Sequence, residues 1–115
     1  MNRFFIDETQ AWEELGGGIR RKLVSWTDSL MAVLVEFDEG AIGEPHAHEL
    51  HDQIAYVIRG RFEVEVAGER RVLQAGDAFT APKSDRHGVV ALEAGSRLMD
   101  LFSPKRDDFL DSGGY

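Results

Sequence analysis

The sequence predicts an all-β fold, and three observations carry that prediction. Phe62-Glu-Val-Glu-Val66 alternates apolar and charged residues, the two-residue period of a strand with one buried face. Glycine-centred turns at 60, 67–69, 74–77 and 93–96 punctuate the middle of the chain about 8 residues apart, widening later. Such a rhythm belongs to a β-sandwich or barrel rather than to strand–helix–strand units, and helix finds a place only at the two ends. The 115 residues suit one domain over 1–115. A domain of this size buries roughly two-thirds of its unfolded surface, enough for a core without covalent staples.

In chain order, residues 7–15 read as a short helical turn stopped by Gly16-Gly17-Gly18. Strands follow at 19–26, 30–37, 53–58, 62–66, 71–73, 78–81, 88–92 and 97–102, and 104–110 forms a second helical turn with Pro104 in its first turn. In the strand at 53–58, Ile54, Tyr56 and Ile58 alternate with Ala55 and Val57, so neither face is made for water. A second layer must cover each side, and in a small β protein that layer can be another subunit; a homodimer is expected. Trp12 and Trp26 read as core or interface residues.

Composition removes several functions. With no cysteine, disulfides, thiolate metal sites and a cysteine nucleophile are excluded. The formal charge of -8 and a pI near 4.9 argue against nucleic acid as partner, because that binding rests on lysine and arginine neutralising phosphates. Arg20-Arg21-Lys22 is too short a cationic run to change this and receives no assignment. The first residues lack the apolar run of a signal peptide, and no stretch approaches a membrane span. A soluble cytoplasmic protein is expected.

The chemistry gathers in the histidines. Three of the four, His46, His48 and His51, fall within six residues. On a strand, residues i and i+2 project from one face about 7 Å apart, so His46 and His48 can aim at one ion. The carbonyl oxygen of Gln53 and an imidazole from His87, at the head of the strand at 88–92, are candidates to complete the set. Three imidazoles and an amide oxygen suit one divalent transition ion such as zinc, nickel, cobalt, iron or manganese. On spacing alone the pair reads equally as solvated imidazoles, Gln53 as a buried amide, and His51 as a solvated loop residue. Ligating imidazoles must be neutral, so metal binding is expected to weaken as pH falls through about 6.5.

At the C-terminal end, parity places Leu98, Asp100 and Phe102 on one strand face. A carboxylate among apolar neighbours needs a partner, and Arg106, just past Pro104, is the candidate; such a pair could simply close the barrel.

These residues resemble the cupin superfamily. Its first motif runs glycine, five residues, His-x-His, three or four residues, glutamate, six residues, glycine; Gly40, His46, His48, Gln53 and Gly60 fit every spacing, with glutamine for glutamate. In the second motif Gly76, Pro82 and His87 fit, while Ser84 replaces a glycine and Ala91 an asparagine. The resemblance covers about residues 30–103 and implies a small jelly-roll barrel with a metal inside one end. An amide ligand leaves the ion near its full charge, favouring a Lewis acid over an oxygen-activating centre. The ending Asp-x-Phe-Ser-Pro-x-Arg, joined to His-x-His-x4-Gln, further resembles the KdgF family of pectin- and alginate-degradation cupins. That resemblance implies metal-dependent isomerisation of 4,5-unsaturated monouronates to linear 5-keto-4-deoxyuronates. It also implies that His46, His48, Gln53 and His87 are metal ligands, Asp100 the acid/base, Phe102 the ring contact and Arg106 the carboxylate contact. The alternatives are a non-catalytic cupin binding a small acidic sugar or signal, which would leave Asp100 purely structural, and a metal-dependent dioxygenase, against which Gln53 counts.

Overall fold

Alternation along the chain becomes two antiparallel sheets laid face to face in the computed structural model, which describes residues 3–111. Strands β1 (Glu13–Gly16), β2 (Ile19–Trp26), β3 (Met31–Phe37), β4 (Ile42–His46), β5 (Asp52–Arg59), β6 (Arg61–Val66), β7 (Glu69–Gln74), β8 (Ala78–Ala81), β9 (His87–Ala91) and β10 (Ser96–Ser103) precede one helical turn, α1 (Asp107–Leu110). The larger sheet has the order β1-β2-β3-β10-β5-β8 and the smaller β4-β9-β6-β7. Together they form the expected cupin-type barrel, all-β apart from short helical turns near the ends. No helix among the described residues is long and apolar enough to cross a membrane.

The sheet order decides where the chemistry can sit. The last strand, β10, inserts between β3 and β5, so Asp100 lies between Val33 and Ala55, and Phe102 between Met31 and Gln53. Parity holds as expected: Leu98, Asp100 and Phe102 face inward and are buried. They meet a core that includes Val35, Val57 and the edge-to-face pair Phe37–Phe62, whose centroids are 5.1 Å apart. Burying each such side chain stabilises the fold by roughly 1.5–3 kcal/mol. At the β5–β6 turn, Gly60 adopts φ 83°, and a Cβ there would lie 2.1 Å from Ser96 Oγ, which leaves only glycine at the end of the first motif.

Two expectations are corrected. The segment 7–15 is not helical beyond a single 3-10 turn at Asp7–Thr9. Residues 13–15 instead open β1, because Gly16 to Gly18 all take positive φ and turn the chain into a hairpin with β2 instead of merely stopping a helix. The C-terminal turn shortens to Asp107–Leu110; Arg106 is extended, so Pro104 precedes the helix rather than occupying its first turn. In β5 the inner residues Gln53, Ala55 and Val57 are buried, whereas Ile54, Tyr56 and Ile58 are 45%, 47% and 40% exposed. Ile54 pairs laterally with Leu101 and Tyr56 with Met99 of β10, making an apolar outer face.

The run Arg20-Arg21-Lys22 is split by the pleat. Arg21 points into the barrel, fully buried, with Nε donating to Glu13 at 2.8 Å and its guanidinium 4.3 Å from the Phe109 ring. Its neighbours face outward: Arg20 pairs with Glu36 and Asp38, and Lys22 with Asp7. Trp12, half-buried, packs against Lys22 and Arg97 on this outer face rather than in the core. Glu36 accepts from Arg20, Arg59 and Arg97. Burial pushes its carboxyl up, but the hydrogen bonds from Arg97 and Arg20 outweigh that and hold it below its ordinary 4.5. A lowered folded-state value stabilises the fold above the unfolded value and loses that contribution as pH falls through the lower one. Urea midpoints should therefore drop more steeply below pH 4.5 in the wild type than in Glu36→Gln; equal slopes would contradict this assignment.

Candidate metal centre

The imidazoles are brought together by chain reversal rather than by one strand. His46 closes β4, and its register partner across the smaller sheet is His87, the first residue of β9. His48 does not share a strand with His46, contrary to the spacing argument: it lies in the loop between β4 and β5. Two bonds fix that loop, Ser84 N–H to the His48 carbonyl at 2.8 Å and Lys83 N–H to Asp52 at 3.0 Å. Ser84, where the second motif has glycine, sits at φ 70°, in the left-handed region. Ring centroids lie 4.5 Å apart for His46–His48, 4.5 Å for His46–His87 and 5.1 Å for His48–His87.

The ring nitrogens have divided roles. Nδ1 of His46 donates to the Glu44 carbonyl at 2.6 Å, and Nδ1 of His87 donates to the Asp85 carbonyl at 3.0 Å. Each bond fixes a tautomer that leaves Nε2 with a lone pair, the arrangement by which outer groups orient metal-binding histidines. Nε2 of His46 and of His48 stand 3.1 Å apart, and one ligand atom from each of the three histidines lies within 4.8 Å of the others. Burial pushes His48 down to about 3, with the Arg106 charge adding to it, and burial lowers His87 despite the Asp85 carbonyl. For His48, protonation thus falls well below the 6.5 expected of a free imidazole.

Gln53 lies on β5, buried, in register with Phe102 of β10. Its Nε2 donates to Asp100 at 3.0 Å, which fixes the amide orientation. The buried Oε1 of Gln53 and the buried Nε2 of His87 find no hydrogen-bond partner among the described residues. Buried polar atoms are paired in more than nine cases in ten, so two such atoms on candidate ligands have the chemistry of an ion site. The residues present fit a divalent cation.

The remaining candidates surround the same region. Asp100 is fully buried and accepts from Gln53. Arg106 does not form the expected pair with Asp100: it forks onto Asp108, while its Nη1 stands 3.4 Å from Nε2 of His48. Phe102 packs edge-on to His48 at 5.8 Å and lies 5.1 Å from the Arg106 guanidinium. A cavity of 560 Å³ opens here, lined by His48, Leu50, His51, Arg106, Asp107 and Asp108 among others. His51 is half-buried instead of solvated; its Nε2 contacts the Lys105 carbonyl at 3.2 Å, and its ring lies 6.4 Å from Phe102. Neither His51 nor Asp108 could be placed from periodicity, because both sit outside strands. The one signal for Asp108 was a carboxylate two residues beyond Arg106.

Comparison with known proteins matches this fold. A cupin domain model covers residues 33–101. The chain is 60% identical over 110 residues, 96% of its own length and all of the relative's, to the pectin degradation protein KdgF of Dickeya dadantii (strain 3937). The solved structure of KdgF from Halomonas sp. superimposes with a TM-score of 0.93 at 55% identity, covering 95% of this chain and 99% of that one. An RmlC-like cupin from Shewanella frigidimarina NCIMB 400 gives 0.90 at 43%, over 95% and 96% of the two chains. With a domain match over most of its barrel and a full-length relative at this identity, the chain belongs to the cupin family and, within it, to the KdgF group.

Proposed function

We propose that this protein acts in pectin breakdown as an isomerase, opening the ring of 4,5-unsaturated monouronates from pectin, and of the equivalent products of alginate, to give linear 5-keto-4-deoxyuronates. The observation that carries this reading is the cluster of His46, His48 and His87, in a barrel that also buries an amide with an unpartnered Oε1, Gln53, donating Nε2 to the buried carboxylate of Asp100. The name of the Dickeya relative supports the pathway.

The substrate is a cyclic enol ether with a carboxylate on C5 and a hemiacetal at C1. Asp100, which accepts from the Gln53 amide, takes the C1 hydroxyl proton as the bond from C1 to the ring oxygen breaks. That leaves an aldehyde at C1 and an enolate at C5. Asp100 returns the proton to C4, and the C5 ketone forms, so no co-reactant is consumed. Arg106 holds the substrate carboxylate through its planar fork. Phe102 packs against the sugar ring and limits water. His46, His48, Gln53 and His87 would hold one divalent ion, which would supply Lewis acidity to the site.

The apolar outer face of β5 and β10 supports a second proposal, that two copies associate through Ile54, Tyr56 and Ile58. Sedimentation at micromolar concentration should give a dimer; a monomer would remove this assignment. For the enzyme, loss of the conjugated double bond's ultraviolet absorbance is followed with an unsaturated monouronate. Decay should be fast, abolished by chelation, and slowed by Asp100→Asn about 100- to 10,000-fold. Binding without decay would mark a non-catalytic module, and wild-type turnover by Asp100→Asn would remove the proton transfer.

A further inference from the structure

Arg106 has two hydrogen-bonding edges, and the fold uses them differently. Its side-on edge spans Asp108: Nε donates to Oδ1 at 3.1 Å and Nη2 to Oδ2 at 2.5 Å. Nη1, on the end-on edge, faces Nε2 of His48 at 3.4 Å. The guanidinium plane is held by aromatic rings, with Phe109 at 3.9 Å and Phe102 at 5.1 Å. Phe109 is itself buried and packs against Arg21 at 4.3 Å. A guanidinium lying on rings can still turn within its own plane, and a bidentate carboxylate is what stops that rotation. Asp108 supplies it from only two residues away, with its side chain half-exposed at the cavity wall.

We propose that Asp108 is a positioning residue for carboxylate recognition: by filling the side-on edge of Arg106, it presents the end-on edge toward the imidazole cluster, where the carboxylate of a uronate binds. The inference rests on the uronate reading and deepens it. It assigns the selection of acidic over neutral sugars to a pair rather than to Arg106 alone. The pairing also has an electrostatic consequence. An unbalanced guanidinium beside His48 would oppose a cation held by the same imidazole, and the Asp108 carboxylate offsets that charge. The hydrogen bonds from Arg106 hold the Asp108 carboxyl below the usual range, so it is an anion at neutral pH.

The test compares Asp108→Asn, which keeps the shape and removes the charge, with Asp108→Glu, which keeps the charge, both supplied with Ni²⁺ or Zn²⁺. For an unsaturated monouronate, Asp108→Asn should raise KM about tenfold while kcat falls less than about threefold, the pattern of lost uniform binding. Calorimetric affinity for D-galacturonate, which keeps the carboxylate but lacks the double bond, should weaken by a similar factor. The response to D-galactose, which has no carboxylate, should not change. Asp108→Glu should recover most of the galacturonate affinity. In an Arg106→Gln background the Asp108→Asn change should add less than about twofold. The proposal is overturned if Asp108→Asn binds galacturonate as the wild type does, if the loss persists without Arg106, or if the wild type does not bind galacturonate. A wild type that binds galacturonate in this Asp108-dependent way, yet leaves the unsaturated uronate intact, would sink the isomerase reading and leave the role of Asp108 standing.

Discussion

Three imidazoles gathered at one end of the barrel are the constraint on which the rest of this molecule depends. Left to themselves, such groups would each seek water or a hydrogen-bond partner. Here two of them, His46 and His87, spend their Nδ1 protons on backbone carbonyls at Glu44 and Asp85, and burial keeps His48 uncharged to about pH 3. What remains is a set of Nε2 lone pairs facing one region, with the Gln53 carbonyl oxygen buried and unsatisfied among the described residues. Leaving a buried polar group without a partner typically costs about 1–3 kcal/mol. A fold that holds two such groups on the same candidate ligand set is arranged for an ion that satisfies both.

The sheet order explains how so small a barrel builds this. Because β10 runs between β3 and β5, the carboxylate of Asp100 comes within reach of Gln53 on the neighbouring strand, and the chain leaving β10 delivers Arg106 to the same end. The pairing of β4 with β9 brings His46 opposite His87. The electrostatics follow the same economy of parts. In a chain of net charge -8, a basic group near a cation site is balanced locally, Arg106 by Asp108, rather than left to the general field.

Much of this was legible in the sequence, for identifiable reasons. Strict alternation marked β6, since one buried face leaves a two-residue signature, and the His-x-His-x4-Gln spacing pointed to the ligand candidates. The elements that escaped are those whose shape comes from tertiary pairing. β1 hides in a segment whose triple glycine reads as a helix stop until β2 is there to pair with it. His48 reaches the cluster through a loop held by Ser84 and Asp52, so a strand argument gave the right neighbour for the wrong geometric reason. Arg106 read as the partner of Asp100, because both are charged and near each other in sequence; the extended backbone at Arg106 and the following helical turn instead present Asp108 to it.

X-ray absorption spectroscopy of the protein loaded with one equivalent of Ni²⁺ or Zn²⁺ tests the central claim most directly, because it reads the ligand shell without reference to activity. The account predicts a single bound ion whose shell contains three imidazole nitrogens and at least one oxygen, with one imidazole lost in His87→Ala. A shell holding fewer than three imidazoles, or one unchanged by His87→Ala, would contradict it.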